Sequence, residues 1–442
     1  MSDVLRWIGY GLLALIVLVV VAFAAYRLRG PSRAQLDALA LMQKDYRPKQ
    51  GTNAFPLLWF MRYDVPDGEL DARMAAEVAA AAQRLAVDER TFSLEPSADK
   101  LTEAADEEAR LCDLTLPGCL AKVSADSQSI RLALATYPII LAREKAFEQT
   151  DFYWNDFPTD FRLLAAAHTS PAQRVWLSAF ALQYTDGDHV GALAGVCRNI
   201  GTWRKLRQGS NSLIGSMMAI RNADEGMHLF AEMLAELPAG EAVPAECRTA
   251  LQPISAADVD RCGEMAGEFA ISTSAMKFMW AQVEKEGTWW NRAQRWIVLD
   301  ESYGDAWRAE HSAEHCGESA TRRMLEDAPL IEAATHPVMT RVECIAGVIN
   351  CMIADIAGPA YIDYDTRTLD FAAHLRLAAT LLWLRDSATD SSPAELFEKR
   401  GTNLRSGRRN SGFDAQANVV FVDNLHTPRA TRFELPISQA TH

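Results

Sequence analysis

A run from Ile8 to Ala25 carries no charged side chain, with Arg6 before it and Arg27 and Arg29 after it. Helical at about 1.5 Å per residue, it reaches about 27 Å, close to the roughly 30 Å of hydrocarbon in a bilayer. Such a segment is expected to span a membrane and to decide the compartment of the rest of the 442-residue chain. Its length and the valine-rich stretch Val17 to Val21 favour a single-pass signal anchor over residues 5–26, with Trp7, Tyr10 and Tyr26 as interfacial rings. A cleaved signal peptide is the second reading, because Ala22-Phe23-Ala24 is an A-x-A site at the end of the run. A buried soluble helix is the third.

Orientation draws on two opposed signals. Arg6 on one side against Arg27, Arg29 and Arg33 on the other points to a cytoplasmic body by the positive-inside rule. Cysteine spacing points the other way. Cys112 and Cys119 lie across a Pro117-Gly118 turn, which lets Cβ atoms approach within about 4 Å, and Cys247 and Cys262 flank a second loop containing Pro253. These four are the disulfide candidates, within a total of eight cysteines. Cys344 and Cys351 share a helix face two turns apart, about 10 Å, too far to bond each other; Cys316 or Cys197 is the expected partner of one of them. The expectation is a body exported across the inner membrane into an oxidising periplasm.

A formal net charge of −14 argues against a nucleic-acid partner. The basic cluster Lys399, Arg400, Arg405, Arg408 and Arg409 sits among Gly, Ser and Asn and reads as a solvated loop. With 49% hydrophobic residues the chain has material for one large core or two smaller ones.

The pattern predicts a mainly α protein: an anchor (1–30), a helical membrane-proximal region (31–160), a helical-hairpin core (161–390) and a loop with a C-terminal β-hairpin (391–442). Helices are expected over 34–44, 69–87, 99–111, 120–136 and 139–147. Residues 53–63 read as an aromatic membrane-proximal packing segment. Further helices are expected over 212–222 and 224–237, over 276–284, over 337–357 up to Gly358-Pro359, and over 369–385. Strands are expected over 419–423 and 431–435. Trp289, Trp290, Trp296 and Trp307 read as core or inter-hairpin contacts. The loop 151–161 interleaves aromatics with aspartates. That pattern suits a ligand shelf, but rings plugging a helical layer with carboxylates in water is the favoured reading.

From Ser170 the chain resembles a tetratricopeptide-type hairpin: Trp176 early in the first helix, a Gly187-Asp188 turn, and Ala192-Leu193 early in the second. One hairpin matches, which implies an α-hairpin array in the broad sense. The exported part is also similar to single-pass envelope proteins of Gram-negative bacteria. The similarity rests on the anchor, Cys112/Cys119, Leu213-Ile214-Gly215-x-Met217-Met218-Ala219 and Phe433-Glu434-Leu435-Pro436. That group carries no assigned activity, so the resemblance implies a place and not a reaction.

Two motifs carry chemistry. His311-x-x-Glu314-His315 fits the H-x-x-E-H zinc signature, two imidazoles one helical turn apart with a carboxylate to activate water; Glu395 or Glu398 would supply a third ligand. Ser274-x-x-Lys277 has the S-x-x-K form of penicillin-recognising enzymes, but the later motifs those enzymes need are missing after it. The zinc motif sits in an Ala/Glu-rich, all-helical setting and not in the mixed α/β domain that such sites use. The expected role is therefore a non-enzymatic, membrane-anchored envelope protein that binds another envelope protein or packs against an assembly, without cofactor; the alternative is a zinc-dependent hydrolase using His311, Glu314 and His315.

Overall fold

The computed structural model describes residues 2–101, 105–113, 117–167, 169–289, 301–329, 348–387, 392–407, 409–426 and 431–437. The chain is mainly helical and carries a small antiparallel sheet near its C-terminus, as its sequence pattern predicts. It divides into two compact units. The smaller takes in Met1–Asp45, Phe269–His315 and Leu330–Ile362; the larger takes in Tyr46–Glu268, Cys316–Pro329 and Asp363–His442.

In the smaller unit the first helix, Ser2–Arg29, contains the segment Arg6–Ala25, long and apolar enough to cross a membrane and with none of its window buried. Gly30, at φ +68°, ends it in the left-handed conformation that glycine adopts without strain. The chain restarts at once because Ser32 and Gln35 form a capping box: the Ser32 hydroxyl accepts from Gln35 N, and Gln35 Oε1 accepts from Ser32 N. The resulting helix, Arg33–Met42, buries Gln35, Ala38 and Met42 at helical spacing. It packs against the Glu301–Glu314 helix, where Gln35 Nε2 donates to Glu310 Oε2 at 3.1 Å.

The larger unit is built on the helices Ser170–Thr185, His189–Gln208 and Leu213–Glu236. Gly187, at φ +99°, makes the first turn, and the Asp188 side chain caps the second helix by accepting from Gly191 N at 3.0 Å. Ser212 caps the third helix in the same way. Where the first two helices meet, Phe147 lies 4.7 Å from both Trp176 and Trp203 by ring centroid, and burying each ring stabilises the unit by about 2–3 kcal/mol. One amide ties the three helices together. Gln173 donates to Asn199 Oδ1 and Asn222 O and accepts from Trp203 Nε1, each at 2.9 Å.

Two buried guanidiniums close the remaining seams. Arg143 Nη1 donates to the carbonyls of Phe60, Met61 and Tyr63, Nη2 donates to that of Val65, and Nε pairs with Asp67 at 3.0 Å. Arg204 grips Asp258 through Nε and Nη2 at 2.5 and 2.7 Å, and its Nη1 donates to the carbonyls of Ala250 and Gln252.

Several elements differ from the pattern reading. Residues 213–236 form one helix instead of a hairpin, because Asn222 and Asp224, which look like turn residues, spend their side chains on tertiary bonds to Thr169 Oγ1 and His374. Of the expected acidic helix over 99–111, the described residues show a helix at Ala105–Glu108; residues 102–104 lie outside them, and Asp64 and Leu101 donate their N–H groups to Asp99 O and Arg62 O, which holds the chain extended there. Asp126 breaks 120–136 into Cys119–Ala125 and Ser127–Leu134 by capping the second piece. The helix Val348–Asp386 runs through Gly358-Pro359 without stopping. A proline there costs about 3 kcal/mol, and burial of Leu369, Phe371, Leu375 and Leu381 further along outweighs it. The 337–347 part of that expected helix lies outside the described residues.

Phe55–Trp59 is a short helix whose residues are all buried in the core of the larger unit. Trp307 is buried while Trp289 is 74% exposed; Trp290 and Trp296 lie outside the described residues. The C-terminal sheet has three strands, because Ser411–Asp414 pairs with Val419–Asp423, which pairs in turn with Arg432–Pro436, all antiparallel. Val420, Val422, Phe433 and Leu435 alternate onto the core face.

Candidate functional site

Both histidines of the zinc motif make aromatic ring contacts. His311 stacks on Trp307 at 4.5 Å, and its Nδ1 lies 3.1 Å from the Trp307 carbonyl, which fixes the proton on that nitrogen. His315 is buried beyond the helix end, with Tyr361 edge-on at 5.6 Å. Glu395 and Glu398 are exposed residues of the larger unit, whereas His311 and His315 belong to the smaller. Among the described residues, no three of His, Cys, Asp and Glu are placed to hold a metal ion. Ser274 Oγ donates to Ile271 O at 2.7 Å, the bond a helical serine makes within its own turn, and Lys277 is exposed.

In the 151–161 loop, Phe152, Tyr153 and Phe157 are buried, and Phe157 meets Trp59 at 5.0 Å. The carboxylates pair outward, Asp156 with Arg47 at 2.7 Å and Asp160 with Arg162 at 2.8 Å. The basic cluster is not the solvated loop its composition suggests. Arg409 is buried and pairs with Asp327 and Asp370, and Arg400 is buried against the Phe397 ring. Lys399 and Arg405 remain exposed, and Arg408 lies outside the described residues.

The larger unit brings six cysteines to bonding distance in three pairs. Cys112 pairs with Cys119, as the Pro-Gly turn predicts. Cys247 and Cys262 do not pair across the Pro253 loop; Cys247 bonds Cys197 and Cys262 bonds Cys316, each partner some fifty residues away. Cys316 and Cys197 are therefore taken, and neither serves Cys344 or Cys351. Cys344 and the Cys351 side chain lie outside the described residues.

A buried ionisable cluster lies beside Cys119. Glu225, His228 and Glu232 are spaced three and four apart on the Leu213–Glu236 helix, so they share one face. With Asp113, Cys119, Leu177 and Leu229 they line a cavity of about 10 Å³, the room one water molecule needs. Glu232 holds the loop in place: its two oxygens accept from Gly118 N at 2.5 Å and Leu120 N at 2.8 Å. Lys122 Nζ donates to Leu111 O, and Ser178 Oγ accepts from Cys112 N.

Glu225 Oε2 and His228 Nδ1 are both buried with no hydrogen-bond partner among the described residues. Burial pushes the Glu225 carboxyl up to about 7 despite Arg221, and burial pulls the His228 imidazole down to about 4 despite Asp224. A carboxyl raised in this way favours folding at low pH and opposes it as pH rises from the ordinary carboxylate range through 7. Glu225→Gln is therefore expected to stabilise the protein by roughly 2–3 kcal/mol at pH 8 and by little at pH 4, read as the shift in urea midpoint at each pH.

A second buried cluster adjoins the same helix. His374 lies 2.9 Å from Asp224 through Nδ1 and 2.9 Å from Asn424 through Nε2, and its ring stacks at 3.8 Å on Phe433, which also meets His228 at 4.6 Å. Burial is the largest single influence on His374 and lowers it, but the Asp224 charge and hydrogen bond, with Asp370 and Asn424, together raise it above its ordinary value. Sequence reading missed both clusters. The only local signal was the spacing of Glu225, His228 and Glu232; the other members come from distant parts of the chain. No family model matches this sequence, and no curated protein and no solved structure matches it.

Proposed function

We infer that this chain is a membrane-anchored envelope protein whose helical body lies on the oxidising side of the inner membrane and acts there through contact with another envelope protein. The observation that carries this reading is the set of three cysteine pairs at bonding distance within the larger unit. Disulfides persist outside the reducing cytosol, and two of these close loops of about fifty residues, which restrict the unfolded chain strongly. The Arg6–Ala25 segment supplies the tether. The helical hairpin of Ser170–Thr185 and His189–Gln208 supports the interaction role in the broad sense, since helical-hairpin proteins commonly bind peptides and proteins.

Reporter fusions in a Gram-negative host test the orientation. Alkaline phosphatase, which folds only outside the cytosol, is expected to be active when fused after Arg33 and at the C-terminus. Activity confined to a cytosolic reporter at either position overturns the reading.

A further inference from the structure

We propose that a cleft beside the Phe55–Trp59 helix binds a carboxylate carried on a short aliphatic stem. The cleft lies within the larger unit and has a volume of about 90 Å³. Leu58, Leu94 and Pro96 line its apolar part, Arg62, Glu95 and Lys100 its polar part, and the Trp59 and Tyr63 side chains complete it. That volume takes a carboxyl group and a few carbons and is too small for a sugar or a nucleotide.

The walls are built before any ligand arrives. Leu101 N donates to Arg62 O and Asp64 N to Asp99 O, each at 2.8 Å, and Leu94 N donates to Leu164 O at 2.9 Å. Ser97 donates through N and Oγ to Glu77 Oε1 at 2.7 and 2.6 Å, which fixes the chain just after Pro96. Tyr63 OH donates to Glu95 Oε2 at 2.9 Å.

Three features point to the ligand. The first is an orphaned donor: Trp59 is 3% exposed, its ring meets Phe55 and Phe157 at 5.8 and 5.0 Å, yet its Nε1 is buried with no hydrogen-bond partner among the described residues. Proteins rarely leave a buried N–H in that state, and an acceptor on a bound molecule satisfies it. The second is charge. In a chain of net charge −14, this lining sets two cations, Arg62 and Lys100, against the one carboxylate of Glu95, which already accepts from Tyr63. Asp64 and Asp99, their neighbours in the chain, are exposed and do not line the cleft.

The third is the mixture of surfaces. A carboxylate offers two oxygens, one for a cation and one for the indole N–H, while Leu58, Leu94 and Pro96 cover an apolar stem. Inorganic phosphate has no stem and leaves that part wet. The same group is presented by a free short-chain acid and by the last residue of a polypeptide ending in an aliphatic side chain.

The test titrates the full chain in a non-ionic detergent with isovalerate, followed by saturation transfer to the ligand methyl protons. Isovalerate is expected to bind with a Kd on the order of 1 mM, and isovaleramide, which has the same stem without the charge, at least about tenfold more weakly. Trp59→Phe, which keeps a ring and removes the donor, is expected to weaken isovalerate about tenfold, and Lys100→Gln about threefold. Lys100 is exposed, so Lys100→Gln is expected to keep the native circular dichroism and urea midpoint, and it decides the matter even where Trp59→Phe does not fold. Acid and amide binding alike, native affinity in Lys100→Gln, phosphate binding as well as isovalerate, or no saturation below about 20 mM each overturns the proposal. A pentapeptide ending in valine separates the two sources: tighter binding than isovalerate supports a polypeptide end, and equal binding supports a free acid. The titration uses purified protein and does not rest on the envelope reading, so it stands or falls separately from the topology fusions.

Discussion

An alanine at position 258 is expected to lower the stability of the larger unit by about 3–5 kcal/mol, because it leaves a guanidinium buried with its counter-charge gone. Asp258 is fully buried, accepts two bonds from Arg204, and also accepts from Gln208 Nε2 and from the N–H and hydroxyl of Ser255. Arg204 is itself 3% exposed and has no route to water without disturbing the Ala250–Pro253 turn that it also binds. Urea unfolding of the full chain in detergent, followed by tryptophan fluorescence, reads the loss. A change below about 1 kcal/mol would mean that the pair is solvated and the ion-pair account is wrong.

The same residue sets an acid limit. Burial acts to raise Asp258, but the Arg204 hydrogen bonds and charge, with the two Ser255 bonds, outweigh it and hold the carboxyl at about 2. A carboxyl depressed in the folded state contributes its full stability above the ordinary carboxylate range and loses it as pH falls through that range toward 2. The native protein is thus expected to weaken steeply between about pH 4 and pH 2, and the alanine variant to show a shallower decline over that interval.

Arg143→Met is expected to cost about 3 kcal/mol or more, by a different route. Methionine keeps part of the apolar stem but donates nothing to the turn between Phe60 and Val65. Two of the four carbonyls keep a backbone partner, since Tyr63 N donates to Phe60 O and Val65 N to Tyr63 O. The loss therefore falls mainly on the Met61 and Val65 carbonyls, which Arg143 reaches at 3.0 and 2.5 Å. Lysine, with three donors on one nitrogen and no planar fork, is expected to recover only part of the loss. Full recovery by lysine in the same unfolding measurement would show that charge alone, through Asp67, is what matters.

What could be read beforehand was local. The apolar Ile8–Ala25 run, the Pro117-Gly118 turn that brings Cys112 to Cys119, the Gly187-Asp188 hairpin turn and the alternation in Val419–Asp423 each lie within one window of sequence and emerge as expected. What stayed hidden depends on partners far along the chain. Cys247 looks as near to Cys262 as to anything else until the His189–Gln208 helix sets Cys197 beside it. Asn222-Ala223-Asp224 looks like a turn until Thr169 and His374 claim its side chains. Arg409 looks solvated until Asp327 and Asp370 surround it. The Ser411–Asp414 strand carries too little β-branched content to announce itself and forms because Val419–Asp423 offers it an edge. The ionisable cavity was not read at all: the expected break at 222–224 hid the helix face that carries Glu225, His228 and Glu232, and its burial depends on distant segments.

The edge strand Arg432–Pro436 places Phe433 and Leu435 in a core whose earliest member is Ala54. The Arg432–Pro436 strand is synthesised about two hundred residues after the Leu213–Glu236 helix that it covers, so apolar surface on that helix stays uncovered until the strand has been made. Nascent chains of this kind are expected to need holding by a chaperone until that strand arrives, and removal of the strand is expected to send them toward aggregation.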